Sequence, residues 1–250
     1  MHSDILPGTL DWILLATLSL AVPVLSLVDF RHLRARLTNG DAAARLVSYC
    51  RAISLEWSAL VIVIVLWRSE GREFTALGLA IEPSTGLVVT TVLVALAVAG
   101  LLIQVTLVRE RPETLASVRG QMAGVGDVMP RTRPELRAFL LLSGTAGIVE
   151  EIVYRGYLMA VLRAVGGPVI AVVGSTLIFT AGHAYQPATI VRVAAIGLVS
   201  ALLVLWSASV LPLIVLHATI DATSGTIGYY AFRSEARSVA LDGSSTELSG

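Results

Sequence analysis

Residues 136–163 read LRAFLLLSGTAGIVEEIVYRGYLMAVLR. A helix crosses a bilayer in about 20 predominantly apolar residues, and this stretch is long and apolar enough to do so. Yet it carries Glu150, Glu151 and Arg155 near its middle. Ionisable groups at that depth are expensive and mark function by default. Upstream, Pro134-Glu135 fits a helix start, since proline suits the first turn and an acid suits the positive end. Glu151 and Arg155 stand four residues apart and share a face, so they can neutralise each other. Glu150 is turned about 100° away and has no cation at i+3 or i+4, where Val153 and Tyr154 stand. It is the free carboxylate of the stretch, and a carboxylate in a polar cavity can serve as a general base.

Two other apolar stretches carry the same kind of exception. STLIFTAGHAY at 175–185 puts Phe179 and His183 four residues apart, and Pro187 ends the run. VLPLIVLHATIDATSG at 210–225 puts His217 and Asp221 at the same spacing. Imidazole holds a water or a metal at neutral pH. A carboxylate one turn away can accept its N–H and fix the tautomer, or act as a ligand itself. The other two histidines, His2 and His32, fall in terminal and loop segments. Taken singly, a Glu–Arg pair reads as a clamp and a buried histidine as a packing residue. Glu150, His183, His217 and Asp221 on three separate spans read as one functional site. Glu56, Gln104 and Asp11 read as helix-end or packing residues.

The composition agrees with a membrane setting. The 250 residues are 55% hydrophobic and only 14% charged, with mean hydropathy +0.79, whereas soluble domains are about a quarter charged. Candidate spans fall at roughly 10–28, 46–67, 87–108, 136–163, 168–184, 189–207 and 210–230. The expectation is an all-α, polytopic transmembrane bundle of about seven spans, with the active-site core in the last four. Zero net charge points to no nucleic-acid partner. The single cysteine, Cys50, excludes an internal disulfide and a CxxC pair. Residues 1–9, MHSDILPGT, contain no basic residue and so lack a signal peptide's basic start. The 10–28 span is read as a retained helix that kinks or ends near Pro23.

Arginine placement orients the bundle. Arg31, Arg34, Arg36 and Arg45 follow the first span, and Arg109, Arg111, Arg119, Arg131 and Arg133 follow the third. The alternate loop, 68–86, sets Arg68 and Arg72 against Glu70, Glu73 and Glu82. Positive loops stay cytoplasmic, which puts the N-terminus outside and the C-terminus in the cytoplasm. Residues 29–45 are expected as a basic connector. Residues 109–134 are expected as a longer one, with an interfacial helix near Glu113–Met122. The polar stretch 231–250 is expected as a disordered cytoplasmic tail. Residues 1–134 then form variable N-terminal helices and loops, and 135–230 a protease-like core.

That last description rests on a resemblance. Glu-Glu-x-x-x-Arg at 150–155, Phe-x-x-x-His at 179–183 and His-x-x-x-Asp at 217–221, in that order on successive hydrophobic segments, resemble the CAAX-processing and bacteriocin-processing family of intramembrane proteases. EEIVYRGYL at 150–158 is close to the family's usual form, and the resemblance covers about 135–230. It implies an endopeptidase of metallo- or glutamate type, cutting a hydrophobic or membrane-associated peptide in a site open to the cytoplasm, in a bacterial plasma membrane. Glu150 would activate water. His183 and His217 would ligate a metal, Zn2+ in the first place, or polarise water and the oxyanion. Asp221, where the family commonly has asparagine, and Glu150 would be further ligands. Glu151, Arg155 and Phe179 would support them.

The depths do not match on straight helices, because Glu150 lies ~24 Å along the helix from Pro134 while His217 lies only ~10 Å from Val210. Convergence requires tilted or broken helices, for which Gly144, Gly147, Gly174, Gly182 and Pro212 give room. Other functions for the same residues are a proton or ion relay in a transporter, which lacks here the internal repeat such proteins commonly show, and a non-catalytic membrane scaffold.

Overall fold

The computed structural model describes residues 5–247. Among these the chain is helical, with no strand. The elements are α1 (Thr9–Ala16), α2 (Val22–Thr38), α3 (Ala44–Ser69), α4 (Thr85–Arg109), α5 (Pro112–Gln121), α6 (Arg133–Glu150), α7 (Met159–Gly182), α8 (Ile190–Ser207) and α9 (Leu211–Glu247). Five helical runs among the described residues are long and apolar enough to cross a membrane, against the seven spans expected. The fourth and fifth expected spans fall in one of them, Arg133–Gly182. That run is broken inside α7 at Gly166 and Gly167, where Gly167 has φ +77°. A side chain would strain that backbone, and Pro168 then restarts the helix. The seventh expected span lies in α9, which is not among the five.

Three further expectations are corrected. The first helix does not end near Pro23. A π-helical stretch, Thr17–Ala21, joins α1 to α2, and the run continues to Thr38; a wider turn just before proline absorbs its missing N–H. Most of the 29–45 connector is therefore helix. Residues 231–247 are not a disordered tail but continue α9, and Ala231 and Phe232 are buried beside Val125 and Met129. Residues 248–250 lie outside the described residues. The interfacial helix in the 109–134 loop forms as α5, followed by a 3-10 turn at Ala123–Val128.

The start of α6 forms as the sequence suggested. The Thr132 hydroxyl and the Glu135 carboxylate make a reciprocal cap, and Glu135 Oε2 accepts the N–H of Arg131 and Thr132 at 2.7 and 2.9 Å. From there α6 runs through the middle of the molecule, packed against α3 on one side and α9 on another. Gly147 sets the second contact: a Cβ there would lie 2.8 Å from the Ala218 backbone nitrogen. Close approach through small residues is how membrane helices associate. The two helices run antiparallel, with Gly225 against Phe139, so the turn after Gly147 lies level with the turn before Ala218 and Glu151 meets His217. The depth mismatch of straight helices is resolved by this crossing and by the glycine break.

The end of α6 passes into a π-helical segment, Glu151–Leu158, which is buried throughout. Such segments inside α-helices recur at functional sites. The Ser175 hydroxyl from α7 donates to the Tyr154 carbonyl at 2.9 Å, supplying a bond at a carbonyl within the altered winding. At Gly156 the segment meets the 74–77 turn, where a Cβ would stand 2.8 Å from the Leu77 carbonyl oxygen. Tyr157, Leu158, Val161, Trp67 and Leu213 form the core around it. Leu96, Leu141, Val169 and Leu177 stay exposed, each above 60%, as an apolar belt does when lipid is its solvent.

Candidate active site

The residues singled out in the sequence converge on His217. Its Nδ1–H donates to Glu151 Oε1 at 2.8 Å. Its Nε2 faces Glu150 Oε2 at 3.6 Å and Asp221 Oδ2 at 3.7 Å. The expected partner for the His217 N–H was Asp221, one turn away. The structure gives that place to Glu151 from across the α6–α9 contact, and leaves Asp221 on the Nε2 side. A neutral imidazole whose proton is held at Nδ1 presents a bare Nε2, and here that nitrogen points toward two carboxylates beyond direct hydrogen-bond distance.

Glu151 is tied down on its other side as expected. Arg155 Nη1 lies 3.2 Å from Glu151 Oε1, with both side chains at most 2% exposed. The guanidinium sits over the Phe179 ring at 4.0 Å from its centroid. Gly197 of α8 lets that stack close, since a Cβ there would stand 3.2 Å from the Phe179 ring and 3.3 Å from Arg155 Nη2. Phe179 also meets the edge of His217 and lies 4.7 Å from the His183 centroid. One phenyl ring thus touches the arginine and both histidines, which gives the Phe-x-x-x-His spacing a packing reason.

His183 caps the end of α7 and turns back, so that its Nδ1–H donates to the Phe179 carbonyl at 3.0 Å. That bond leaves Nε2 bare in the neutral ring. Tyr185 stacks on its far side at 6.2 Å between centroids. His183 makes no hydrogen bond or ion pair with Glu150, Glu151 or His217. What it shares with them is a cavity of about 340 Å3, lined by Glu150, Glu151, His183, His217 and Asp221. Its wall continues through Val125, Val128 and Asp29, which belong to the segments carrying the arginine-rich stretches.

Glu56, read from sequence as a packing residue, belongs to this cavity as well. Its Oε2 is buried and has no hydrogen-bond partner, as is also true of Glu150 Oε2. The signal was present in the sequence: an acid inside the 46–67 apolar stretch is the same anomaly that drew attention to Glu150. Asp11, read the same way, is a structural residue. It is fully buried and accepts from Arg72, Tyr157 and the Gly8 N–H at 2.6–2.9 Å.

Among the described residues no group of three or more His, Cys, Asp or Glu is placed to hold a metal ion. As they stand, Glu150, His183, His217 and Asp221 share a cavity without forming a ligand shell. Their chemistry as placed is that of two proton-accepting nitrogens and two carboxylates around water-sized space, with a third carboxylate fixing one ring.

A bundle with several helical runs of membrane-crossing length, with carboxylates and imidazoles gathered around one cavity, has the architecture of a polytopic membrane protein. Residues 132–223 match the family model described as Rce1-like, type II CAAX prenyl endopeptidase Rce1-like. The match starts at the Thr132 cap of α6, ends two residues past Asp221, and contains every residue of the His217 cluster. No curated protein and no solved structure matches the chain.

Proposed function

We propose that the chain is an intramembrane endopeptidase that hydrolyses a peptide bond in a hydrophobic or membrane-associated peptide. The observation that carries this reading is the unpartnered Glu150 Oε2 at 3.6 Å from His217 Nε2, inside the cavity, with the histidine ring fixed from behind by Glu151.

The steps follow from the groups present. A water between Glu150 and the bare imidazole nitrogens gives a proton to the Glu150 carboxylate. Its oxygen bonds to the scissile carbonyl carbon. The oxyanion that forms accepts a hydrogen bond from whichever imidazole has taken up a proton from bulk water before the peptide binds, while the other stays neutral and holds the attacking water. Collapse breaks the carbon–nitrogen bond, and the proton held by Glu150 passes to the leaving nitrogen as it becomes an amine. Glu151 holds the His217 ring and stabilises its cationic form. Arg155 keeps Glu151 ionised, and Phe179 covers the guanidinium. Asp221, an acid where the family commonly has an amide, adds negative charge beside Nε2 and supplies no amide N–H to the oxyanion. The residues as placed do not close around a metal ion, so no step is routed through one.

The cavity wall runs to the segments rich in arginine, which supports a site open to the cytoplasm, with the N-terminus outside and the C-terminus inside. Cys50, the single and exposed cysteine, tests the map. A membrane-impermeant maleimide should label it in inverted vesicles and leave it untouched in sealed, right-side-out ones.

The functional test uses the full chain in liposomes against a library of hydrophobic peptides, wild type beside Glu150→Gln. Cleavage by the wild type and none by the variant is the expected result. Equal cleavage by both removes Glu150 from the reaction. Ion flux without cleavage replaces the hydrolase with a transporter. Elemental analysis of the same preparation, with activity measured before and after chelation, checks the metal that the family resemblance implied.

A further inference from the structure

The chain carries a second polar assembly, far from the His217 cluster and built around Tyr229 and Tyr230 of α9. Arg109, at the end of α4, and Arg233, on α9, both stack on the Tyr230 ring, at 5.6 and 4.6 Å from its centroid. Arg233 also lies 5.2 Å from the Tyr229 centroid. The charge of Arg133, the first residue of α6, acts on the Tyr229 hydroxyl together with that of Arg233. Three cations from three helices therefore gather on one tyrosine pair, and all three side chains are exposed.

Among the described side chains none of the three has an ion-pair partner. The two acids nearest in the chain to Arg131 and Arg133 are engaged elsewhere. Asp127 pairs with Arg34 at 3.1 Å, and Glu135 caps α6 and faces Arg45. Like charges repel unless an anion sits between them, yet here the fold converges them. The position is also informative. Arg109 ends one candidate span and Arg133 begins another, so the cluster lies at a membrane boundary. Directly before Arg109 on α4, Leu102, Ile103 and Leu107 are more than half exposed and offer an apolar strip leading away from the charges.

We propose that Arg109, Arg133 and Arg233 bind the phosphate headgroup of an anionic phospholipid, with its acyl chains lying along the exposed face of α4. Charge, planar guanidinium donors and the adjoining apolar strip favour a lipid over a soluble phosphate, which would use the arginines alone. The inference does not depend on the peptidase reading.

The test uses full-length protein in a neutral detergent and a fluorescent short-chain phosphatidylglycerol, followed by anisotropy. Unlabelled phosphatidylglycerol should displace the probe, and phosphatidylcholine or glycerol phosphate at equal concentration should not. Arg109→Gln/Arg233→Gln should weaken probe binding on the order of 10-fold. The charge-matched control Arg68→Gln/Arg163→Gln, near other ends of the helices, should leave it unchanged. Should the first double variant not purify folded, Arg133→Gln is read in its place. Equal weakening by test and control pairs, or displacement by phosphatidylcholine, overturns the site. Displacement by glycerol phosphate as strong as by the lipid overturns the lipid assignment and leaves a phosphate site.

Discussion

Two clusters of charge lie inside this bundle, and they are built differently. At one, Asp11 accepts two hydrogen bonds from Arg72, one from Tyr157 and one from the Gly8 N–H, and Arg72 lies over the Trp67 ring. Asp11 and Arg72 are at most 8% exposed, and each strong charge meets its complement. At the other, Glu151 and Arg155 are as deeply buried, but the cluster opens toward a cavity, with His217 15%, Glu150 20% and Asp221 40% exposed in their side chains. Polar atoms there lack partners. Buried polar groups are ordinarily satisfied, and each exception calls for a reason. A closed cluster joins helices. An open one, held from behind by a buried ion pair, keeps reactive groups available in a fixed place.

The largest effect expected from that contrast is chemical. Glu150→Ala should lower kcat on the order of 10²–10⁴-fold, the usual contribution of a general base, while the melting temperature changes little because Glu150 Oε2 bonds to nothing that would be orphaned. Loss of folding in Glu150→Ala would erase the distinction between the two clusters. The readout is single-turnover cleavage of a peptide selected on the wild type, paired with a thermal melt in the same detergent.

Asp11→Ala should show the reverse. It leaves Arg72 without its carboxylate and Tyr157 without its acceptor, and breaking a buried ion pair costs about 3 kcal/mol. Unfolding in denaturant should shift accordingly, while the fraction that stays folded cleaves at the wild-type rate. A fall in kcat at 15 °C with unchanged stability would place Asp11 in the reaction and break the comparison from the other side.

Glu151→Gln sits between these cases. It keeps the shape and an acceptor for the His217 N–H but removes the charge that Arg155 and the imidazole both use. A group that orients a catalytic or metal-binding histidine is worth roughly 10–100-fold, so kcat should fall by that much with KM nearly unchanged. Arg155→Gln in the same background should add little further, because the two residues form one unit.

These differences explain what could be read before the structure. The open cluster announced itself as ionisable residues in apolar stretches, and i,i+4 spacing correctly paired Glu151 with Arg155. The same rule suggested Asp221 for the His217 N–H, and there it missed, because spacing along one helix says nothing about the helix that crosses it. Gly147 decides that crossing, and a glycine in sequence does not name its neighbour. The helical elements were legible from hydropathy. The continuation of α9 past residue 230 was not, since serine, glycine and aspartate lower helix propensity there while the buried Phe232 and Ala231 give the helix a tertiary reason to go on.

Glu56 gives the smallest expected effect and the sharpest discrimination. It comes from α3, and its Oε2 is buried and unpaired like that of Glu150. It therefore belongs with the open cluster by its own geometry, although it touches neither histidine through a hydrogen bond or ion pair. A carboxylate lining the cavity can accept a backbone N–H from a peptide lying in it. Glu56→Ala should accordingly raise KM more than it lowers kcat, and Glu56→Gln, which keeps an acceptor oxygen, should recover most of the loss. A kcat defect as deep as that of Glu150→Ala, not relieved by glutamine, would make Glu56 a second proton-transfer group. No change in either constant would return it to packing.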